Sequence, residues 1–277
     1  MGTFSVLDFI HSNTNGTNGV RIGSSTNLSV GGLRFNMPHE TAAAWTIDLA
    51  NRNLNIGNGS ILVTPNVGTD DVQINGGGNI RMGTGATLLL QQHNTTGNLI
   101  LNSQITQSAG AGSNVTKVGA GKVILASNGN SYAGGTRIFE GTLQVGNGGA
   151  SGVLGSGDVT NNGTLAFHRS DSVTVIHNIH GSGAVTQMGP GELTFTTNFS
   201  TYTGPTNLQG GILTFTSLQN LGNGTAINFN GGALKWATGT TEDASTRTLT
   251  FNAPGGTIHT NGNDLTFANP VGNSGAG

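Results

Sequence analysis

Residues 116–145 read TKVGAGKVILASNGNSYAGGTRIFEGTLQV, and 70 positions later residues 186–215 read TQMGPGELTFTTNFSTYTGPTNLQGGILTF. The fixed points coincide without a gap. Gly119 falls on Gly189, Gly121 on Gly191, Tyr132 on Tyr202 and Gly134 on Gly204, and Thr136 on Thr206, Gly141 on Gly211 and Leu143 on Leu213. A constant period that keeps turn glycines and apolar strand residues in register marks a repeat architecture. What recurs is a backbone pattern, not a set of reactive side chains.

Outward from this pair, composition supports the same reading. Of 277 residues 48 are Gly, only 8% are charged and 5% aromatic. A soluble domain usually carries roughly 25% charged residues, so Asn, Thr, Ser and Gly must cover this surface. High Gly with polar residues can signal disorder, but disordered chains combine high net charge with few β-branched runs. Here the net charge is −2, and Ile61-Leu62-Val63, Leu88-Leu89-Leu90 and Val123-Ile124-Leu125 recur as apolar runs. The near-neutral charge, with Lys and Arg scattered singly, argues against nucleic acid. There is no Cys, which removes disulfides and thiolate metal sites. No apolar run approaches the roughly 20 residues of a membrane helix, so membrane insertion of this segment is not expected.

Along the chain, apolar triplets alternate with Gly/Asn/Ser/Thr punctuation: Val20-Arg21-Ile22, Leu28-Ser29-Val30 and Leu33-Arg34-Phe35, then 45–49, 54–56, 60–63, 72–74, 80–82, 87–90 and 99–101. Each reads as a short strand with period 2. PHETAAA, residues 38–44, alone has helical flavour, and it is too short to stand by itself. After the first repeat, LGSGDVTNNGTLAF (154–167) is echoed by LGNGTAINFNGGALKW (221–236), and 248–251, 257–259 and 265–267 alternate again. One coil of such strands cannot bury its apolar side alone. Stacked coils, about 4.8 Å apart, line up Leu, Ile, Val and Phe as internal columns. The expectation is a single solenoid over residues 1–277 with repeats at 116–145 and 186–215, in about twelve coils of roughly 20 to 25 residues. The glycine-flanked end suggests a section of a longer molecule.

The pattern G-x-G-x-[VL]-x-[LF]…Y-x-G…T…G-x-L, carried by Gly119, Gly121, Val123, Leu125, Tyr132, Gly134, Thr136, Gly141 and Leu143 and again 70 residues on, resembles the autotransporter-associated β-strand repeat. The resemblance implies an all-β fold, a right-handed parallel β-helix, from the passenger region of a bacterial surface or secreted protein. It brings no shared catalytic residues.

Several constellations bear on chemistry. Gly119-Ala-Gly121-Lys122 lacks the rest of a phosphate loop, and the second copy puts Glu192 where the first has Lys122. Glycoside hydrolysis needs two carboxyls at roughly 5 to 9.5 Å. The adjacent acids, Asp70-Asp71 and Glu242-Asp243, point to opposite faces of an extended chain and read as solvated loop charge; Glu40 and the other acids are dispersed. Gly155-Ser-Gly-Asp158 resembles part of a calcium-binding turn, but its later equivalent is Thr225. His177 and His180, three apart, do not make a ligand pair on a strand, and His39 is isolated. Thr-x-Thr spacings at 194–196, 214–216 and 246–250 appear too sporadically for an ice-binding ladder. Trp45 and Trp236 are candidate sugar-stacking platforms, whereas the recurrence of Tyr132 as Tyr202 points to corner packing. No catalytic, cofactor or metal residue is expected. The expected role is a non-enzymatic structural or adhesive rod at the cell surface or secreted, partnered by glycan or a host or neighbour-cell surface and by its own copies through terminal coils or sides. The alternative is a β-helix carbohydrate-active enzyme, a polysaccharide lyase or hydrolase.

Overall fold

The computed structural model describes residues 6–9, 20–21, 27–38, 44–110, 112–197 and 199–272. Ile22, Gly23, His39, Glu40 and most of PHETAAA lie outside the described residues. The chain divides into two compact units, residues 1–147 with 151–157, and residues 148–150 with 158–277. Both are parallel β-solenoids, and together they hold about ten coils.

In the first unit three sheets run along the stack. The first sheet orders Val6–Phe9, Gly32–Phe35, Ser60–Val63, Thr87–Gln92, Asn114–Val118 and Thr136–Ile138. The second orders Val20–Arg21, Trp45–Asp48, Val72–Asn75, Asn98–Leu101, Lys122–Leu125 and Thr142–Val145, and the third Leu28–Ser29, Leu54–Gly57, Asn79–Met82 and Gln104–Gln107. Strict parallel register turns each inward position into a column. Trp45, Val72, Leu99, Val123 and Leu143 form one such column, and Leu28, Leu54, Ile80 and Ile105 another. Most of these side chains have no exposed surface, and burial of each large one is worth about 1.5–3 kcal/mol.

The second unit stacks Thr164–Phe167, Ala184–Gln187, Thr206–Leu208, Ala226–Phe229 and Thr248–Phe251 in one sheet. Val173–Val175, Glu192–Phe195, Ile212–Phe215, Ala233–Trp236 and Thr257–His259 form a second, and Val159–Asn161 pairs with Ile179–His180 apart from both. Its aromatic column runs Phe195, Phe215, Trp236, with Phe215 and Trp236 edge to face at 5.0 Å. Phe229 and Phe251 stack at 4.3 Å in the facing column.

The coil count falls somewhat short of twelve because the early coils are longer than expected. Asp71 bonds Asn98 one coil on, 27 residues away, since those coils carry three strands. Repeat coils carry two strands and an irregular third side; the Asn207–Thr186 contact spans only 21 residues. Residues 265–267 alternate in sequence but form no strand. Instead Phe267 packs edge-on against Trp236 at 6.0 Å. Short 3-10 turns at Pro65–Val67, Leu218–Leu221 and Ala244–Thr246 are the only helical elements among the described residues, and no helix is long and apolar enough to cross a membrane.

Candidate functional site

The repeat is a strand–corner–strand unit stacked on its own second half. Asn114–Val118 pairs with Thr136–Ile138 and Lys122–Leu125 with Thr142–Val145. In the second copy Ala184–Gln187 pairs with Thr206–Leu208 and Glu192–Phe195 with Ile212–Phe215. Gly141, at φ +64, nests on the corner below: a Cβ there would lie 2.5 Å from the carbonyls of both Gly119 and Gly121. Gly211, at φ +52, sits in the same way on Gly189 and Gly191. Gly134 and Gly204 likewise crowd the backbone of the preceding coil, at Ser113 and Gly183. Leu143 and Leu213 are fully buried. Tyr132 and Tyr202 are fully buried too, their hydroxyls bonded to Thr136 at 2.8 Å and Thr206 at 2.7 Å. Gly155 and Gly222 of the following coil lie against the rings. Burial raises both phenol pKa values, that of Tyr202 to about 12.

The sequence reading missed what fills the inside of these corners. Lys117 is fully buried, in an inward column with Leu33, Ile61, Leu90 and Ile138. Its Nζ donates to the carbonyl of Gly119 and, at 2.8 Å, to that of Glu140. Burial lowers its pKa to about 8, with nearby Glu140 pulling the other way. Seventy residues on, Gln187 takes the same place between Phe167 and Leu208 and donates to Gly189 at 3.1 Å and Gly191 at 2.9 Å. A donor two residues ahead of the corner glycine was the available signal.

Most charges serve local structure. Asp70 is buried, and Asp71 accepts from the backbone and amide of Asn98 at 2.7 and 2.9 Å. Glu242 accepts from Leu218 N, and Asp243 caps the Ala244–Thr246 turn and binds Ala268 N. These pairs are therefore loop clasps rather than free solvated charge. Asp158 binds Asn178, and His180 bonds Thr201 at 2.8 Å. Buried Arg169 grips Asp171 with two nitrogens at 2.9 and 2.8 Å, which holds that carboxyl below the usual range. Trp45 and Trp236 are buried, their indole N–H groups given to Met37 and Glu242 carbonyls; neither is a sugar platform. The Gly119–Lys122 turn lies against Gln92 and Asn94 of the coil below, so no phosphate fits inside it.

Two outer surfaces remain. In the second unit Thr174, Thr194, Thr214, Lys235 and His259 are successive partners along one face. Glu192 beside them accepts from Thr214 at 2.5 Å and pairs with Lys235 at 3.0 Å, and these bonds lower its pKa. In the first unit a shallow cleft of about 300 Å³ is lined by Asn55, Gly57, Arg81, Met82, Gly83 and Ser108. Among the described residues no group of three or more His, Cys, Asp or Glu converges.

Residues 115–145 and 185–215 match the passenger-associated-transport-repeat family. The chain is an autotransporter-type passenger repeat protein. An adhesin, the BmaC autotransporter of Brucella suis biovar 1 (strain 1330), is 32% identical over 84% of this chain and 8% of its own length. The uncharacterized lipoprotein YdeK of Escherichia coli (strain K12) is 29% identical over 54% of this chain and 14% of its own. The chain thus spans a small part of either relative. No solved structure matches it. The matched ranges start at Val115 and Val185, one residue before the boundary read from sequence; both valines are buried and are register partners of Thr136 and Thr206.

Proposed function

We propose that this chain is a non-enzymatic, adhesive and structural passenger segment, displayed on a bacterial surface or secreted, which offers the outer columns of its coils to a glycan or cell surface. The observation that carries this reading is the similarity of 84% of the chain to an adhesin. The geometry agrees with it. Registered coils make polar rows instead of one privileged pocket, as in the partly exposed series Asn207, Asn228, Thr250. One carboxylate of the outer face, Glu192, is tied to Lys235 and Thr214. The experiment is to coat beads with the purified chain and measure saturable attachment to cultured cells and to a glycan array, beside a polysaccharide-release assay. Attachment competed by free chain is expected. Polysaccharide turnover abolished by Glu192→Gln would replace this reading with the carbohydrate-active one.

A further inference from the structure

On the outer face of the third sheet of the first unit, Ser29, Asn55, Arg81 and Thr106 are successive partners in register, about 4.8 Å apart from coil to coil. The register slips between Asn55 and Gly57, and the 300 Å³ cleft opens there. Bulges of this kind re-aim side chains and gather beside functional sites. Three other arginines are engaged: Arg34 by Asp8, Arg169 by Asp171, and Arg247 by the carbonyls of Leu218, Leu221 and Gly222. Arg81 is exposed and has no ion pair or hydrogen bond among the described residues. No acid lines its cleft. Asn55 Nδ2 donates to Ser29 at 3.2 Å, which leaves its carbonyl oxygen as an acceptor in the coil next to the guanidinium. Gly57 and Gly83 present bare backbone on which a ring can lie close.

We propose that this cleft is a subsite for an anionic sugar, one bearing a carboxylate or sulfate. Arg81 takes the charged group as a two-pronged planar donor, and Asn55, Thr106 and Ser108 meet ring hydroxyls. A glycan suits the cleft better than a nucleic acid or an anionic membrane, each of which needs several clustered cations; amide and hydroxyl neighbours match sugar hydroxyls. The coil spacing is close to the length of one pyranose in an extended chain, so a polymer laid along this column meets a new coil with each sugar.

The inference rests on the adhesive reading, and the experiment separates the two. Binding of the purified chain is measured by calorimetry to a glucuronate-containing oligosaccharide, its carboxyl-reduced counterpart and a sulfated oligosaccharide, with bead attachment to cells in parallel. The acidic sugars are expected to bind about tenfold or more tightly than the neutral one, and Arg81→Ala to lose about that factor. Arg81→Lys should recover part of it. Arg137→Ala, which removes another exposed and unpaired arginine of the same unit, should change nothing. The two acidic arms decide between carboxylate and sulfate. Equal binding of the neutral sugar, no binding of either acidic sugar, or equal effects of Arg81→Ala and Arg137→Ala would overturn the site. Wild-type attachment to cells with no binding of either acidic sugar removes the site and keeps the adhesive reading; a wild type that does not attach removes the latter.

Discussion

At the scale of single residues the most informative position is Lys117. An ammonium group placed among Leu33, Ile61, Leu90 and Ile138 costs desolvation energy, which backbone carbonyls offset only in part. Its folded pKa, about 8, lies below the ordinary 10.5, so between these values the unfolded chain binds more protons. Stability therefore rises as pH climbs from about 8 toward 10.5, and below pH 8 the whole penalty is present. Gln187, the equivalent residue, does the same bonding without charge. Lys117→Gln should raise stability at pH 7 by about 2–3 kcal/mol and flatten the alkaline rise. Chemical denaturation of both proteins at pH 7, 9 and 10.5 checks it, and parallel pH profiles would refute it. The tyrosines give a companion case: Tyr132→Phe strands a buried Thr136 hydroxyl and should cost about 1–2 kcal/mol, read as a lower midpoint in the same titration.

At the scale of the element, the corner is what holds coil to coil. Gly141→Ala combines an unfavourable positive φ with two carbonyls 2.5 Å from the new methyl. Gly85, at φ +64, has open space around it, so Gly85→Ala bears the conformational cost alone, about 1–2 kcal/mol. Gly141→Ala and Gly211→Ala should each cost at least about 1 kcal/mol more than that. Thermal melts of the three variants test the difference, and equal losses would mean the corners are not packed as described. The corners were legible beforehand because Gly119, Gly121, Tyr132, Gly134 and Gly141 keep their spacing across 70 residues, and backbone crowding is what enforces such spacing. The strands were legible from period 2. Coil length was not, since nothing local distinguishes a three-strand coil from a two-strand coil with a tyrosine-bearing loop. The inward Lys117 was also hidden: charge argues for an outward side chain, and only register with Leu90 and Ile138 shows the reverse. Arg81 was one scattered cation among several in the sequence, because the bulge at Gly57 that opens its cleft is a property of paired strands.

At the scale of the whole molecule, parallel stacking leaves strand edges. Among the described residues Val6–Phe9 is paired only with Gly32–Phe35, and Thr257–His259 only with Ala233–Trp236. Thr248–Phe251 is paired only with Ala226–Phe229. An unpaired edge carries a row of N–H and C=O groups that can accept a further strand, and charged side chains on such an edge discourage the pairing. Lys and Arg are absent from both C-terminal strands, and Thr257 is exposed. The chain should therefore associate with its own copies as concentration rises. Sedimentation velocity over a hundredfold concentration range should show the sedimentation coefficient climbing, and Thr257→Lys should reduce the climb without lowering the melting temperature. A wild-type coefficient that stays constant at the monomer value across that range would show that these edges are already protected, by the segment in which Phe267 covers Trp236 and Asn269 bonds Ser245.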